Sequence, residues 1–224
     1  MKLDIPEDLT RRAYRAIRDE ILKGKLNHRK RLTEGFFASQ FGISKSPIRE
    51  AFNRLEADGL IAIRPRRGAF VVEFSVQDVN EIYELRELLE TTAVRHVVFD
   101  RKTLAKLRGA LNAAKDGLRK QDKVSYIPAD FEFHRIIAQA NTNSRLRKVL
   151  ESMHGQMLIL RHRTFELSSD RSVVEHERIL EALEKGDNEL AATLMGEHIR
   201  AVRAKLLEYL SHQADGKPAR RPSA

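Results

Sequence analysis

Residues 31–72 read RLTEGFFASQFGISKSPIREAFNRLEADGLIAIRPRRGAFVV, and this stretch limits the fold more tightly than any other. Two short helical patterns meet at Gly42, and a small basic hairpin follows. Thr33 is placed to cap the first of these helices, which is expected to bury Phe36, Phe37 and Phe41. The second starts at Ser44 with Pro47 in its first turn, where a missing N–H costs little. Ile48, Ala51, Phe52 and Leu55 form its inward face, and Gly59 suits a left-handed cap. Strands are expected at 60–64 and 69–72, with Pro65, Arg66, Arg67 and Gly68 at the tip between them. Helix, turn, helix and basic hairpin in that order describe a winged helix-turn-helix, which lays one helix in the DNA major groove.

Charge placement agrees with a nucleic-acid partner. Of a formal net charge of +9, residues 1–74 carry +6, residues 75–214 carry +1 and the last ten residues carry +2. A basic module beside a nearly neutral body fits DNA better than it fits general solubility. The chain has no Cys, which excludes disulfides and thiolate metal sites. No apolar run approaches the length of a membrane span, and the N-terminus lacks an apolar signal core, so a cytoplasmic protein is expected.

Ahead of the reader, Leu9, Ala13, Ile17 and Ile21 recur every four residues and predict a helix over about 8–23. Ser75 marks the domain boundary. Beyond it long helical periods take over, at about 76–99, 103–120, 124–140, 144–167, 169–186 and 188–212. The expected fold is therefore mainly α: a winged helix-turn-helix over 1–74, an all-α bundle of about six helices over 75–212, and a disordered tail over 213–224 rich in Pro, Gly and Arg.

On the second helix of the reader, Lys45 and Arg49 lie one turn apart on the outward face. Arg suits the two acceptors of a guanine edge, and Lys supplies a cation to guanine or phosphate. Ser44 and Ser46 are placed to donate to phosphates at the helix start. Arg64, Arg66, Arg67 and Gly68 give the wing three cations and a close-approach glycine. A lone Arg49 would be read as a solvated residue or an ion pair with a neighbour such as Glu50; the ordered set favours DNA. In the bundle, Asp130 and His134 are four apart and share a helix face, while His176 and His198 fall on two later helices. One carboxylate and three imidazoles would suit a divalent cation, but each His also has an ordinary packing role, and spacing alone does not decide between them.

The run AYRAIRDEILKGKL and the segment RLTEGFFASQFGISKSPIREAFNRLEADGLIAIRPRRGAFV resemble the GntR family of bacterial transcription regulators over residues 9–72. The resemblance implies a dimeric winged helix-turn-helix whose contacts include Arg49 and Gly68. Lys45 stands where Arg is usual, and Gly35 where the family often has a basic residue. Residues 77–212 resemble the FCD ligand-binding domain of the FadR subfamily, in its shorter, VanR-like group. The matching features are the D-x-x-x-H of Asp130 and His134, the E-H-x-x-I-L-x-A-L around His176 and the M-x-x-H at His198. In metal-containing members those four positions hold a divalent cation beneath an effector pocket, so the resemblance implies a divalent cation here. Imidazole ligands suit zinc or nickel foremost, with copper, iron or manganese also compatible, and open positions on such an ion would accept a small carboxylate effector.

Arg86 in ELRELLE is placed for such an anion, unless it pairs with Glu87 or Glu90. Arg161 and Arg163 are further candidates, and Asn143 either lines the pocket or caps the next helix. The leading expectation is a homodimeric regulator of operator DNA, a repressor, with no membrane association. Two alternatives stay open. One is a metal-dependent bundle enzyme with an accessory DNA module, although no general base can be identified. The other is an architectural DNA-binding protein without an effector.

Overall fold

The computed structural model describes residues 8–26, 30–163, 165 and 170–214; the side chains of 163, 170, 213 and 214 are also outside the description. Among the described residues there are nine helices and one two-stranded sheet. They divide into two compact units, with the cut between Glu73 and Phe74 and with residues 155–159 grouped with the first unit.

In the first unit, α1 (Leu9–Leu22) is capped by Asp8, whose carboxylate accepts from Thr10 N at 3.0 Å. Its four-residue stripe buries Ala13, Ile17 and Ile21, whereas Leu9 at the end is exposed. The next helix, α2 (Glu34–Phe41), is capped by Thr33, and Gly42 follows at φ +67°, a conformation that costs glycine little. Helix α3 (Lys45–Ala57) then buries Ile48, Ala51, Phe52 and Leu55. Each of the large apolar side chains among them contributes roughly 1.5–3 kcal/mol. Strands β1 (Ile61–Arg64) and β2 (Gly68–Val71) pair antiparallel with Arg64 opposite Gly68, and an isolated bridge joins Leu32 to Ala69.

One expectation fails here. Phe36 is not core: it is 60% exposed, and Phe41 is half-buried, while Phe37 is buried and packs edge-on against Phe52. The buried face of α2 is formed by Phe37 and Ala38, and Phe36, about 100° round the helix on the other side of Phe37, falls outside it.

The second unit consists of α4 (Val76–Arg95), α5 (Arg101–Arg119), α6 (Lys123–Ala140), α7 (Ser144–Arg163) apart from residues 155–159, α8 (Asp170–Glu184) and α9 (Asn188–Ala214). Helix α4 opens with a reciprocal capping box between Ser75 and Asp78. It stops at Arg95, short of the expected Phe99, because Asp100 leaves the helix to cap α5 by accepting from Thr103 N at 2.7 Å. The expected end of the seventh helix at 167 and start of the eighth at 169 lie outside the described residues, as does most of the expected tail; α9 itself runs to Ala214.

Helix α6 is central, packed against α5 and α4, and α9 packs against α4 and α8. Gly117 permits the α5–α6 contact: a Cβ there would meet Tyr126 N at 2.7 Å. Tyr126, Ile127, Phe133 and Ile137 fill the centre. The same helix carries Asp130 and His134 into that interior.

Candidate functional sites

The first surface is the outer face of α3 and the hairpin tip. Lys45, Ser46 and Arg49 are exposed, and so is Ser44, whose side chain makes no cap hydrogen bond and is free to donate elsewhere. Arg64, Arg66 and Arg67 are exposed on the hairpin, with Arg64 stacked 5.4 Å from the Phe70 ring. Gly68 sits at φ +95°, a conformation that favours glycine, and a Cβ there would lie 2.6 Å from Arg31 Nε, so the flexible Arg31 side chain would have to move aside. Arg66 adopts φ +62° at the tip.

Two details were not legible in the sequence. Glu50 is exposed like Arg49 but does not pair with it; it accepts from Thr10 Oγ1 of α1 at 2.9 Å. Arg49 does have an ion-pair partner, but it is Glu34 at the start of α2, held at 2.8 and 2.9 Å. A cleft of about 400 Å³ lies beside this pair, lined by Arg31, Glu34, Arg49, Asn53, Ile63 and Gly68 among others. Lys45 runs its stem over Gly35, with Cε 3.9 Å from where a Cβ would stand, so the two departures from the family pattern are neighbours in space.

The second site lies inside the helical unit. His134 on α6, His176 on α8 and His198 on α9 are all buried, and one ring nitrogen from each converges within 4.8 Å. The Nε2 of His176 is 3.1 Å from the Nε2 of His134 and 3.1 Å from that of His198. His134 Nδ1 lies 2.6 Å from Glu90 Oε2, and His198 Nδ1 lies 2.8 Å from Glu175 Oε2. An ionised carboxylate only accepts, so it fixes the proton on Nδ1 and, with the ring neutral, leaves a bare lone pair on Nε2. Carboxylates behind imidazoles are the usual supports of metal-binding histidines. The bare lone pairs of His134 and His198 face His176 Nε2, where either a proton on that nitrogen or a cation meets them, and an ion about 2.1 Å from each nitrogen can span these separations. The donor set therefore fits a divalent cation. His176 stacks on Phe133 at 4.5 Å, and its Nδ1 is buried without a hydrogen-bond partner.

Asp130, the fourth predicted ligand, is near but outside this convergence. Its Oδ2 accepts from Arg161 Nε at 3.2 Å, its Oδ1 accepts from Tyr126 Oη at 3.2 Å, and Oδ1 lies 3.8 Å from His176 Nδ1. The structure thus brings three predicted ligands together and gives the fourth a different partner.

Electrostatics follow from burial. Desolvation lowers His198 to about 4 and His176 well below the ordinary histidine value, with the neighbouring imidazoles adding to the effect at His176. At Glu90, burial alone would raise the carboxyl, but Arg86 and His134 outweigh it and hold the group below the usual range. Asp130 is likewise held low against its burial, by Arg161 and the histidines.

The predicted effector residues divide. Arg86 is buried, donates to Glu90 Oε1 at 2.6 Å and lies over the Tyr83 ring. Arg161 is largely buried and also donates to Tyr126 Oη at 2.7 Å. Asn143 caps α7, accepting from Arg145 N and Leu146 N at 3.0 and 3.2 Å. The side chain of Arg163 lies outside the described residues. Glu90 and Glu175 were not singled out as histidine supports. The signal available was weak: Glu90 stands four residues after Arg86, and Glu175 immediately precedes His176.

The comparisons with known proteins agree with both halves. Residues 9–71 match the model for bacterial regulatory proteins of the gntR family, and residues 81–201 match the FCD domain. The chain is 31% identical to a probable D-xylose utilization operon transcriptional repressor of Paenarthrobacter nicotinovorans, over 81% of each chain. It is 29% identical to the uncharacterized HTH-type transcriptional regulator YdhC of Bacillus subtilis, over 94% of this chain and 95% of that one. Among solved structures, a putative GntR transcriptional regulator from Rhodococcus sp. RHA1 superposes with a TM-score of 0.81 at 27% identity, covering 89% of this chain and 97% of that one. With a matching reader, a matching helical domain and relatives that are transcription regulators and not enzymes, the chain belongs to the gntR family of bacterial regulatory proteins and carries an FCD domain.

Proposed function

We propose that this regulator is a homodimeric, cytoplasmic repressor whose hold on operator DNA is set by a small carboxylate metabolite bound at a metal centre in the FCD domain. The observation that carries the reading is the convergence of His134, His176 and His198, with Glu90 and Glu175 behind two of the rings. Imidazole ligation suits zinc or nickel. Asp130 serves as the fourth ligand when it exchanges its Arg161 partner for the ion. Arg161 and Arg86, two cations buried in the same unit, then meet the effector's carboxylate. In the reader, Arg49 addresses a guanine, Lys45 a guanine or phosphate, and Ser44, Ser46 and the wing arginines Arg64, Arg66 and Arg67 address phosphates, with Gly68 allowing close approach. Two readers must match half-sites about one helical turn apart, so a small effector-driven change in their spacing costs much affinity.

The test uses the whole protein and a duplex selected by it from a random pool. Protein stripped with a chelator, and the same protein reloaded with zinc or nickel, are titrated onto the duplex with a panel of small carboxylates. Release by one carboxylate only when metal is loaded supports the proposal. Release unaffected by chelation removes the metal from the mechanism, and duplex binding indifferent to every compound favours a purely architectural protein.

A further inference from the structure

Arg49 does not project freely from α3. The Nε–Nη2 edge of its guanidinium donates to both carboxylate oxygens of Glu34, at 2.8 and 2.9 Å. Glu34 stands in the first turn of α2, behind the Thr33 cap, so the acceptor is fixed on a second helix. A guanidinium carries five N–H donors in one plane. This pairing uses one on Nε and one on Nη2, and leaves the end fork, formed by Nη1 and the other Nη2 hydrogen, unoccupied. That end fork presents two parallel N–H donors, which can meet guanine O6 and N7. The side chain of Arg49 is 64% exposed, so the pair contributes little to folding.

We propose that Glu34 is a positioning residue for base readout: it clamps the side edge of Arg49 so that the end fork faces the groove already oriented. The inference rests on the reading of Arg49 as a guanine reader and adds a specificity-determining residue that the recognition helix does not contain. A free arginine must give up rotamer freedom when it docks, and the clamp removes part of that cost before DNA arrives. Glu34 also repels phosphate, which penalises registers that place backbone where a base edge belongs. Its carboxyl is held below the usual range, first by the Arg49 hydrogen bonds and then against a small opposing effect of burial, so it is ionised at working pH.

The experiment compares wild type, Glu34→Ala, Glu34→Gln, Arg49→Ala and the Glu34→Ala/Arg49→Ala double variant, all full length and checked by circular dichroism. Each is titrated onto the selected duplex, onto versions with 7-deazaguanine at single positions, and onto a scrambled duplex. In wild type, one deazaguanine position is expected to cost about tenfold, and Arg49→Ala is expected to lose that sensitivity. Glu34→Ala should lose about threefold of that tenfold discrimination at the same position, with affinity for scrambled duplex not reduced. Glu34→Gln, with one acceptor oxygen in place of two, should fall between. The double variant should discriminate no worse than Arg49→Ala alone, because the two residues act through one contact. If Glu34→Ala tightens selected and scrambled duplex equally, Glu34 is a charge brake and the clamp is refuted. A Glu34 effect that adds to that of Arg49→Ala refutes it too. If no deazaguanine position depends on Arg49, the reading of Arg49 itself fails, and the clamp falls with it.

Discussion

Glu90→Gln isolates the charge that holds the interior of the FCD unit together. Glu90 is 2% exposed and accepts from Arg86 Nε at 2.6 Å on one oxygen, with His134 Nδ1 at 2.6 Å from the other. Gln keeps the volume but removes the charge, and its amide nitrogen must face one of the two donors. Arg86 cannot escape by losing its proton, because its neighbours raise its pKa further against the effect of burial. The variant therefore leaves a buried cation without its nearest counter-charge, a defect worth about 3–5 kcal/mol. For a chain of this size each kcal/mol moves the melting temperature by roughly 2–4 °C, which gives a fall on the order of 6–20 °C. Scanning calorimetry at neutral pH in the presence of a chelator measures it without a metal contribution. Adding Arg86→Met to the same variant should recover much of the loss, since the stranded cation is gone. A single variant melting within about 2 °C of wild type would refute the reasoning.

The buried histidines make metal-free protein sensitive to acid. His198 is lowered to about 4 from 6.5, and His176 also lies well below it, so between about 6.5 and 4 the unfolded chain binds protons that the folded chain refuses. Stability should fall as pH drops through that window, by roughly 3 kcal/mol for His198 alone, and denaturant midpoints that stay level from pH 7 to 4.5 would contradict this. On the wing, changing Arg66 and Arg67 together to Ala should weaken selected and scrambled duplexes alike and flatten the salt dependence by about two charges. A shifted sequence preference at an unchanged slope would count against phosphate contacts. Sedimentation at micromolar concentration should give about twice the 25.7 kDa chain mass, and a monomer that still binds a palindromic duplex tightly would contradict the dimer.

Much of the reader could be seen in the sequence because its signals are local. Thr33 sits where a cap belongs, Gly42 and Gly59 sit at left-handed turns, and the four-residue stripe of α1 is buried from Ala13 onward. Phe36 departs from the expected core because three phenylalanines close in sequence suggest a cluster, whereas the buried face of α2 is set by its packing on α3. The end of α4 was missed because Val97, Val98 and Phe99 read as helix continuation, and the competing demand of Asp100 as a cap is a choice between two helices.

The same division runs through the interior cluster. Asp130 and His134 share a face of one helix by spacing, which sequence alone can show. The meeting of His134 with His176 and His198 depends on how α6, α8 and α9 pack. Glu90 behind His134, Arg161 beside Asp130 and Glu34 across from Arg49 are all contacts between helices, and no periodicity encodes a partner on another helix.

The most direct test of the account is a metal titration. Chelator-stripped protein should take up one zinc or nickel ion per chain by elemental analysis and calorimetry. Its stability should rise by about 2.7 kcal/mol at a hundredfold excess of free metal over the dissociation constant. His134→Ala, His176→Ala and His198→Ala should each remove most of that rise while the reader still binds scrambled duplex. Protein that binds no divalent ion, and whose melting temperature is unmoved by any of them, would contradict the assignment of the three histidines to a metal centre.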